Sequence, residues 1–243
     1  MNRKKYTAFP KSAIRFQNEF LDFQKGIHVG RLEDNQRITR ILKLALEARY
    51  QEEFVTERFG RGVYWQWIGF VYKSNRSNKP LSSKNSFGCC KFFLMVDHED
   101  QLFKCGFSVE RGMIDPRPDF PRSQLQPDWD WHRLLDGLTH GSPLEKELKR
   151  LVVREDFAID AGNWENRHTV LPGKFPGAED LKKTLMAAPP DAWTVFQVYY
   201  PMSEKDIRAS TGTDLVDAMM AIFRETTPAM NLCMQVHLQV NAD

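Results

Sequence analysis

The residues with most chemical potential in this chain are cations and flat rings crowded into one stretch. Residues 58–96 hold seven Lys or Arg and nine Phe, Trp or Tyr but no Asp or Glu, although the 243-residue chain carries a formal charge of only +2. Lys and Arg neutralise phosphates and release counterions, and aromatic faces stack on bases, so this composition suits a polyanion and above all a nucleic acid. The candidates are Arg58, Arg61, Lys73, Arg76, Lys79 and Lys84 for phosphates, with Trp67 and either Tyr64 or Tyr72 as a base platform. Neighbours on a strand point to opposite faces, so these rings cannot all serve one ligand. The same residues also have a plainer reading, in which strand aromatics fill a core and loop cations are solvated.

No other chemistry stands out. The sequence has no G-x-S-x-G elbow, Walker-type phosphate loop, H-E-x-x-H or paired C-x-x-C, and its six histidines are scattered. No catalytic residue, metal site or cofactor is therefore assigned. Asp97-His98-Glu99-Asp100 offers carboxylates and an imidazole to a metal, but between two strands it reads first as a hairpin turn. Cys89, Cys90 and Cys105 lie in apolar segments, where cysteine acts as a small core residue, and Lys91 alone does not make a thiolate site. Trp129 and Trp131 either frame a partner groove or anchor the preceding loop onto the core, with Asp128 or Asp130 capping the helix that follows.

These residues need a scaffold, and the chain is long enough to supply one. With 42% hydrophobic residues it can close a substantial core without disulfides. The sequence predicts an α+β fold with a mixed or mainly antiparallel central sheet flanked by helices, as one domain over residues 1–243 with a possible subdomain break at 113–131. Ala13, Phe16, Phe20 and Phe23 have the spacing of an amphipathic helix ending near Gly26, and a second helix is expected from Asp34 toward Phe54. Residues 63–73 are apolar on both faces, as in a central strand, with Val63, Trp65, Trp67 and Val71 on one side. Residues 73–86 read as an exposed polar loop, and 87–110 as a hairpin whose second strand is half-buried. Ser142-Pro143-Leu144-Glu145 has the pattern of a capping box. Short strands are expected near 156–160, 167–171 and 193–200, a helix over 178–187, and a last helix capped by Thr213 or Asp214 that stops before Pro228.

Residues 59–70, FGRGVYWQWIGF, followed by a polar loop and the hairpin to Gly112, resemble the N-terminal DNA-binding domain of McrB-type modification-dependent restriction systems. That family has a Gly-x-Gly turn, an aromatic strand containing Pro-Trp, a variable loop and a hairpin with an acidic turn. Gly60 and Gly62 match the turn, Trp67 the strand tryptophan that contacts a flipped base, and Phe70 the aromatic after it. Arg61 stands where close family members have an aromatic, and Gln66 replaces the proline. The match spans about 60 of the 243 residues. It implies an α+β reader that flips a modified cytosine out of the duplex and holds it against rings, standing alone or as one subunit of a defence assembly.

The functional expectation is a non-enzymatic nucleic-acid-binding module, read as a reader of modified or flipped bases in bacterial defence. Two alternatives come from other classes: an enzyme acting on a small molecule or nucleotide through dispersed residues such as Arg111, Asp115, Asp128 and His132, or a protein-interaction subunit anchored by Trp129 and Trp131. The basic N-terminal segment has no apolar run behind it, and the longest apolar stretches are of strand length. With four cysteines read as reduced thiols, the expectation is a cytoplasmic protein with no membrane partner.

Overall fold

Alternating apolar residues at 103, 105, 107 and 109 place that segment at the centre of a sheet. β6 (Leu102–Gly112) pairs with β5 (Lys91–Asp97) on one side and β9 (Thr194–Ser203) on the other. Beyond β5 lie β4 (Tyr64–Tyr72), β2 (Gly26–His28) and β1 (Leu21–Asp22), and beyond β9 lie β7 (Ala158–Gly162) and β8 (Arg167–Val170). β3 (Phe54–Arg61) flanks the other side of β4. Every pairing between these strands is antiparallel, giving a nine-stranded sheet in the computed structural model, which describes residues 6–79, 88–116, 118, 123–163 and 165–239. Strands from both sides of the 113–131 segment belong to this sheet.

The helices pack where the strand pattern demands cover. α1 (Ile38–Tyr50), α3 (Asp130–Gly137) and α4 (Pro143–Arg154) surround α7 (Gly212–Cys233), which lies on β6 and β9. Leu215, Met219, Ile222 and Phe223 recur along one side of α7, and the Phe223 ring meets Phe92 at 4.7 Å and Phe70 at 6.1 Å. Burying such side chains stabilises the fold by roughly 1.5–3 kcal/mol each. α2 (Lys73–Ser77), α5 (Ala178–Met186) and α6 (Glu204–Ala209) complete the set, and among the described residues no helix is long and apolar enough to cross a membrane.

The second sheet face is buried too, with different chemistry. One row runs Gly69, Phe93, Gly106, Tyr199, Ala158 in register, so large rings alternate with positions that have little or no side chain. The rows on either side of it hold charge: Lys91, 1% exposed, pairs with Glu57 at 3.2 Å and Glu110 at 3.3 Å. Lys104 is fully enclosed and binds Asp97 at 2.7 Å, Asp160 at 2.9 Å and Asp100 at 3.0 Å, while Arg167 closes the network onto Asp97 and Asp100. Buried ions persist only when paired in this way. The expectation that β6 is half-buried is therefore overturned: Lys104, Ser108 and Glu110 are as enclosed as Phe103 and Phe107.

Several local expectations hold. β4 has backbone partners on both sides, the 97–100 turn joins β5 to β6, and Ser142 Oγ accepts from Glu145 N to start α4. Others need correction. Residues 12–26 are short 3-10 turns and the strands β1 and β2 instead of a helix; Ile14, Phe16, Leu21 and Phe23 still reach the core, so the spacing reported burial but not winding. The second helix starts at Ile38 instead of near Asp34 and stops at Tyr50, where Gln51 turns left-handed at φ 54°; β3 then begins at Phe54, where the helix was expected to end. Residues 73–77 are helical, whereas residues 80–86 of the predicted loop, with Phe87 at the start of the predicted hairpin, lie outside the described residues. The last helix is capped by Thr211, with Asp214 completing the box, and runs through Pro228.

Candidate nucleic-acid interface at the hairpin tip

β3 and β4 meet in a tight hairpin whose turn is Gly62-Val63. Gly62 takes φ +63°, which an L side chain adopts only with strain, and a Cβ on Gly60 would lie 2.5 Å from the Trp65 Cα. The register slips between Phe59 and Gly60, so Phe59 faces Trp67 while Gly60 faces Trp65, leaving Gln66 as an extra residue. Such a bulge turns the side chains beyond it to the other face. Trp65 accordingly packs against the helix-side core and Trp67 against Phe93 and Tyr199, although strict alternation predicts one shared side.

The tip collects exposed cations and rings. Arg58 and Arg61 are exposed, and no carboxylate among the described residues lies within ion-pair distance of either. The Arg58 guanidinium sits 4.3 Å from the centre of the Trp65 ring, a cation–π contact that orders it. Opposite Arg61 stands Tyr64, which stacks on His28 at 4.9 Å and carries Lys25 Nζ 5.6 Å above its ring. Lys25 is also paired with Asp22 at 3.4 Å. The amides of Val29 and Gly30 bond to the Val63 carbonyl, which brings exposed Arg31 beside the turn. Phe59, 66% exposed, stands between Arg58 and Gly60.

The structure divides the residues singled out in the sequence into two groups at opposite ends of β4, about 26 Å apart at the usual strand rise. Arg58, Arg61, Tyr64 and Trp67 belong to the tip half. At the other end Lys73 pairs with Glu53, and with Ser74, Ser77, Asn78, Tyr6 and Glu52 they line an open cleft of about 420 Å³. Arg76 is half-buried on α2, and Lys84 lies outside the described residues. Two assignments change outright. Tyr72 is 4% exposed in the core, and Lys79 is buried, with Nζ 2.6 Å from Asp130 Oδ1 and 3.1 Å from Gln235 Oε1, so neither presents its polar atoms to an outside ligand. Trp67 is half-buried, its ring lying over Gly69 with Lys91 Nζ 5.5 Å from its centre, and it does not line the cleft.

Asp130 is the counterpart that the sequence concealed. Instead of capping α3, its carboxylate accepts from Lys79 Nζ, Asn75 Nδ2 at 2.7 Å, Cys90 N at 2.8 Å and Gln235 N at 3.2 Å. Trp129 and Trp131 are enclosed, the first against Gly88 and Gly112, the second in the main core, which makes them anchors of the loop. Arg111, Asp115, Asp128 and His132 do not converge on a site: the Arg111 guanidinium binds the carbonyls of Ala188, Pro189 and Ala192, and the His132 ring bonds to the Gln126 carbonyl. Burial pushes the Cys89 thiol up to about 12 and raises Cys90, Cys105 and Cys233 as well, so none is a thiolate at neutral pH. Among the described residues no group of His, Cys, Asp or Glu is placed to hold a metal ion. Sequence reading missed Phe59, Lys25, His28 and Arg31; Lys25 lay at the end of an expected helix, and His28 and Arg31 lay in the connection after it, which the structure brings to the tip through β2 and the Val63 carbonyl. No family model, curated protein or solved structure matches the chain.

Proposed function

We propose that this protein is a non-enzymatic nucleic-acid-binding module that holds its ligand at the β3–β4 hairpin tip. One observation carries the reading: Arg58 and Arg61 are exposed with no carboxylate partner among the described residues, Arg58 over the Trp65 ring and Arg61 opposite Tyr64, with exposed Phe59 between them in sequence. Unpaired guanidinium groups on a surface are free to neutralise phosphates, and Arg58, already ordered on the indole, loses less side-chain entropy when it does so. Lys25 and Arg31 extend the positive field around the turn. In its finer form the proposal is a reader of modified or flipped bases in a bacterial, cytoplasmic defence setting, resting on the match of Gly60, Gly62, Trp67 and Phe70 to the McrB-type pattern.

Binding to mixed-sequence duplex DNA, followed by fluorescence anisotropy from 50 to 200 mM salt, tests the module. Each phosphate contact on B-DNA contributes about 0.9 to the slope of log K against log salt, so Arg58→Gln with Arg61→Gln should flatten it by about 1.8. Lys73→Gln should leave it nearly unchanged, since that cation is already paired with Glu53. Equal slopes for wild type and the double variant would refute the tip as the phosphate site. The finer reading requires Trp67→Ala to reduce discrimination between modified and plain cytosine more than it reduces overall affinity.

A further inference from the structure

Phe59 is a large apolar side chain left two-thirds in water, on an edge strand one residue from an exposed arginine. Its cross-strand neighbour Trp67 is itself half-buried, so there was apolar surface for Phe59 to fold onto. Along the strand, Arg58 and Arg61 lie on either side of it at positions about 10 Å apart, Arg61 on its own face and Arg58 turned to the Trp65 face. The register slip beside it, with Gly60 at φ +151°, sharpens the bend of the hairpin end at which this exposed ring sits. A projecting apolar group bracketed by cations has a specific use on nucleic acid: it enters between two base pairs while the cations hold the backbone on either side.

We infer that Phe59 is a wedge that inserts between adjacent base pairs of a duplex from the minor groove, bending it, and that the ligand class of the hairpin tip is duplex DNA with an easily unstacked step. This rests on the tip being a nucleic-acid site. Pyrimidine–purine steps such as TA unstack most readily, so they are the expected place of entry. The charges fit: arginines are favoured in the minor groove, where the phosphate potential is most negative, and no acidic group of the described residues is paired with Arg58 or Arg61 to oppose it. A wedge acts by its volume and apolarity, whereas a base-stacking platform needs a flat ring, and that difference makes the two separable.

The test uses the full chain with a duplex of about 20 base pairs that has one central TA step, end-labelled for energy transfer, beside the matching single strand. Wild type should bend the duplex and bind it more tightly than the single strand. Phe59→Ala should abolish the bend and weaken duplex binding about tenfold with the salt slope unchanged, while Phe59→Leu keeps most of both, because an aliphatic wedge also separates a step. The ring is largely in water, so both variants should melt with wild type. A bend that survives Phe59→Ala, or a Phe59→Leu variant as weak as Phe59→Ala, would overturn the wedge while leaving nucleic-acid binding at the tip intact. Absence of binding to duplex and single strand alike would overturn the nucleic-acid reading itself, and the wedge with it.

Discussion

Asp130→Ala removes one carboxylate that four donors share, and its consequences separate a structural cation from a binding one. In the native protein the group is fully enclosed and holds Lys79, itself only 3% exposed at the side chain, together with Asn75, the Cys90 amide and the Gln235 amide. Removing it leaves the buried ammonium, among the described residues, with Gln235 Oε1 at 3.1 Å, an amide oxygen that carries no charge. Breaking a buried ion pair from one side costs about 3–5 kcal/mol, the other orphaned donors keep the loss toward the upper end, and at this chain length each kcal/mol lowers Tm by about 2–4 °C. The expected fall is therefore about 6–20 °C, measured by thermal melts and urea titration. Adding Lys79→Met to Asp130→Ala should recover part of the loss, since no buried charge is left uncompensated. Lys79→Met alone should destabilise the protein yet leave the salt slope of DNA binding unchanged. A loss below about 1 kcal/mol for Asp130→Ala, or strict additivity in the double variant, would refute the reasoning.

Two further outcomes follow from single positions. Burial opposes charging of Asp97, but Lys104, then the Asp100 amide and Arg167, outweigh it and hold the carboxyl well below the usual range. A depressed folded value contributes stability above the unfolded pKa of about 3.9 and loses it as pH falls through the folded value, so wild-type stability should drop below about pH 4, and Asp97→Asn, weaker at neutral pH, should drop less; parallel urea-midpoint curves across that window would contradict the network. Pro228 is exposed inside α7, where it has no N–H for the Arg224 carbonyl and its ring crowds that turn. Pro228→Ala should raise stability by about 1–3 kcal/mol after allowing for the freer unfolded chain, and an unchanged or lower Tm would refute the view that the proline strains α7.

Local chemistry that reads out over a few residues was legible in the chain. The β5–β6 hairpin follows from apolar alternation interrupted by a polar turn, α4 from Ser142 and Pro143 ahead of Leu144, Leu148 and Leu151, and the interior place of β4 from apolar residues on both its sides. An α+β fold with an antiparallel sheet needs no more than these patterns. Arg58, Arg61 and Tyr64 stood out through the crowding of cations and rings over residues 58–96, but the β3–β4 hairpin that carries them did not, because no strand was expected before residue 63.

What tertiary structure alone decided is which charges meet and which rings face which way. Lys104 finds Asp160, 56 positions away, and Lys79 finds Asp130, 51 away, and in neither case does the local pattern distinguish a paired, buried ammonium from a solvated one. A cation's exposure depends on what the fold brings over it. Residues 12–26 bury the apolar positions their spacing announces, but as turns and short strands, because a spacing of three and four marks an inward face and does not by itself select a helix when sheet partners are on offer. The slip at Gly60 sends Trp65 and Trp67 to opposite faces, and it exists only because β3 and β4 are paired. Periodicity is a property of a segment, whereas register, burial of charge and the gathering of Lys25, His28 and Arg31 at the hairpin tip are properties of segments in contact.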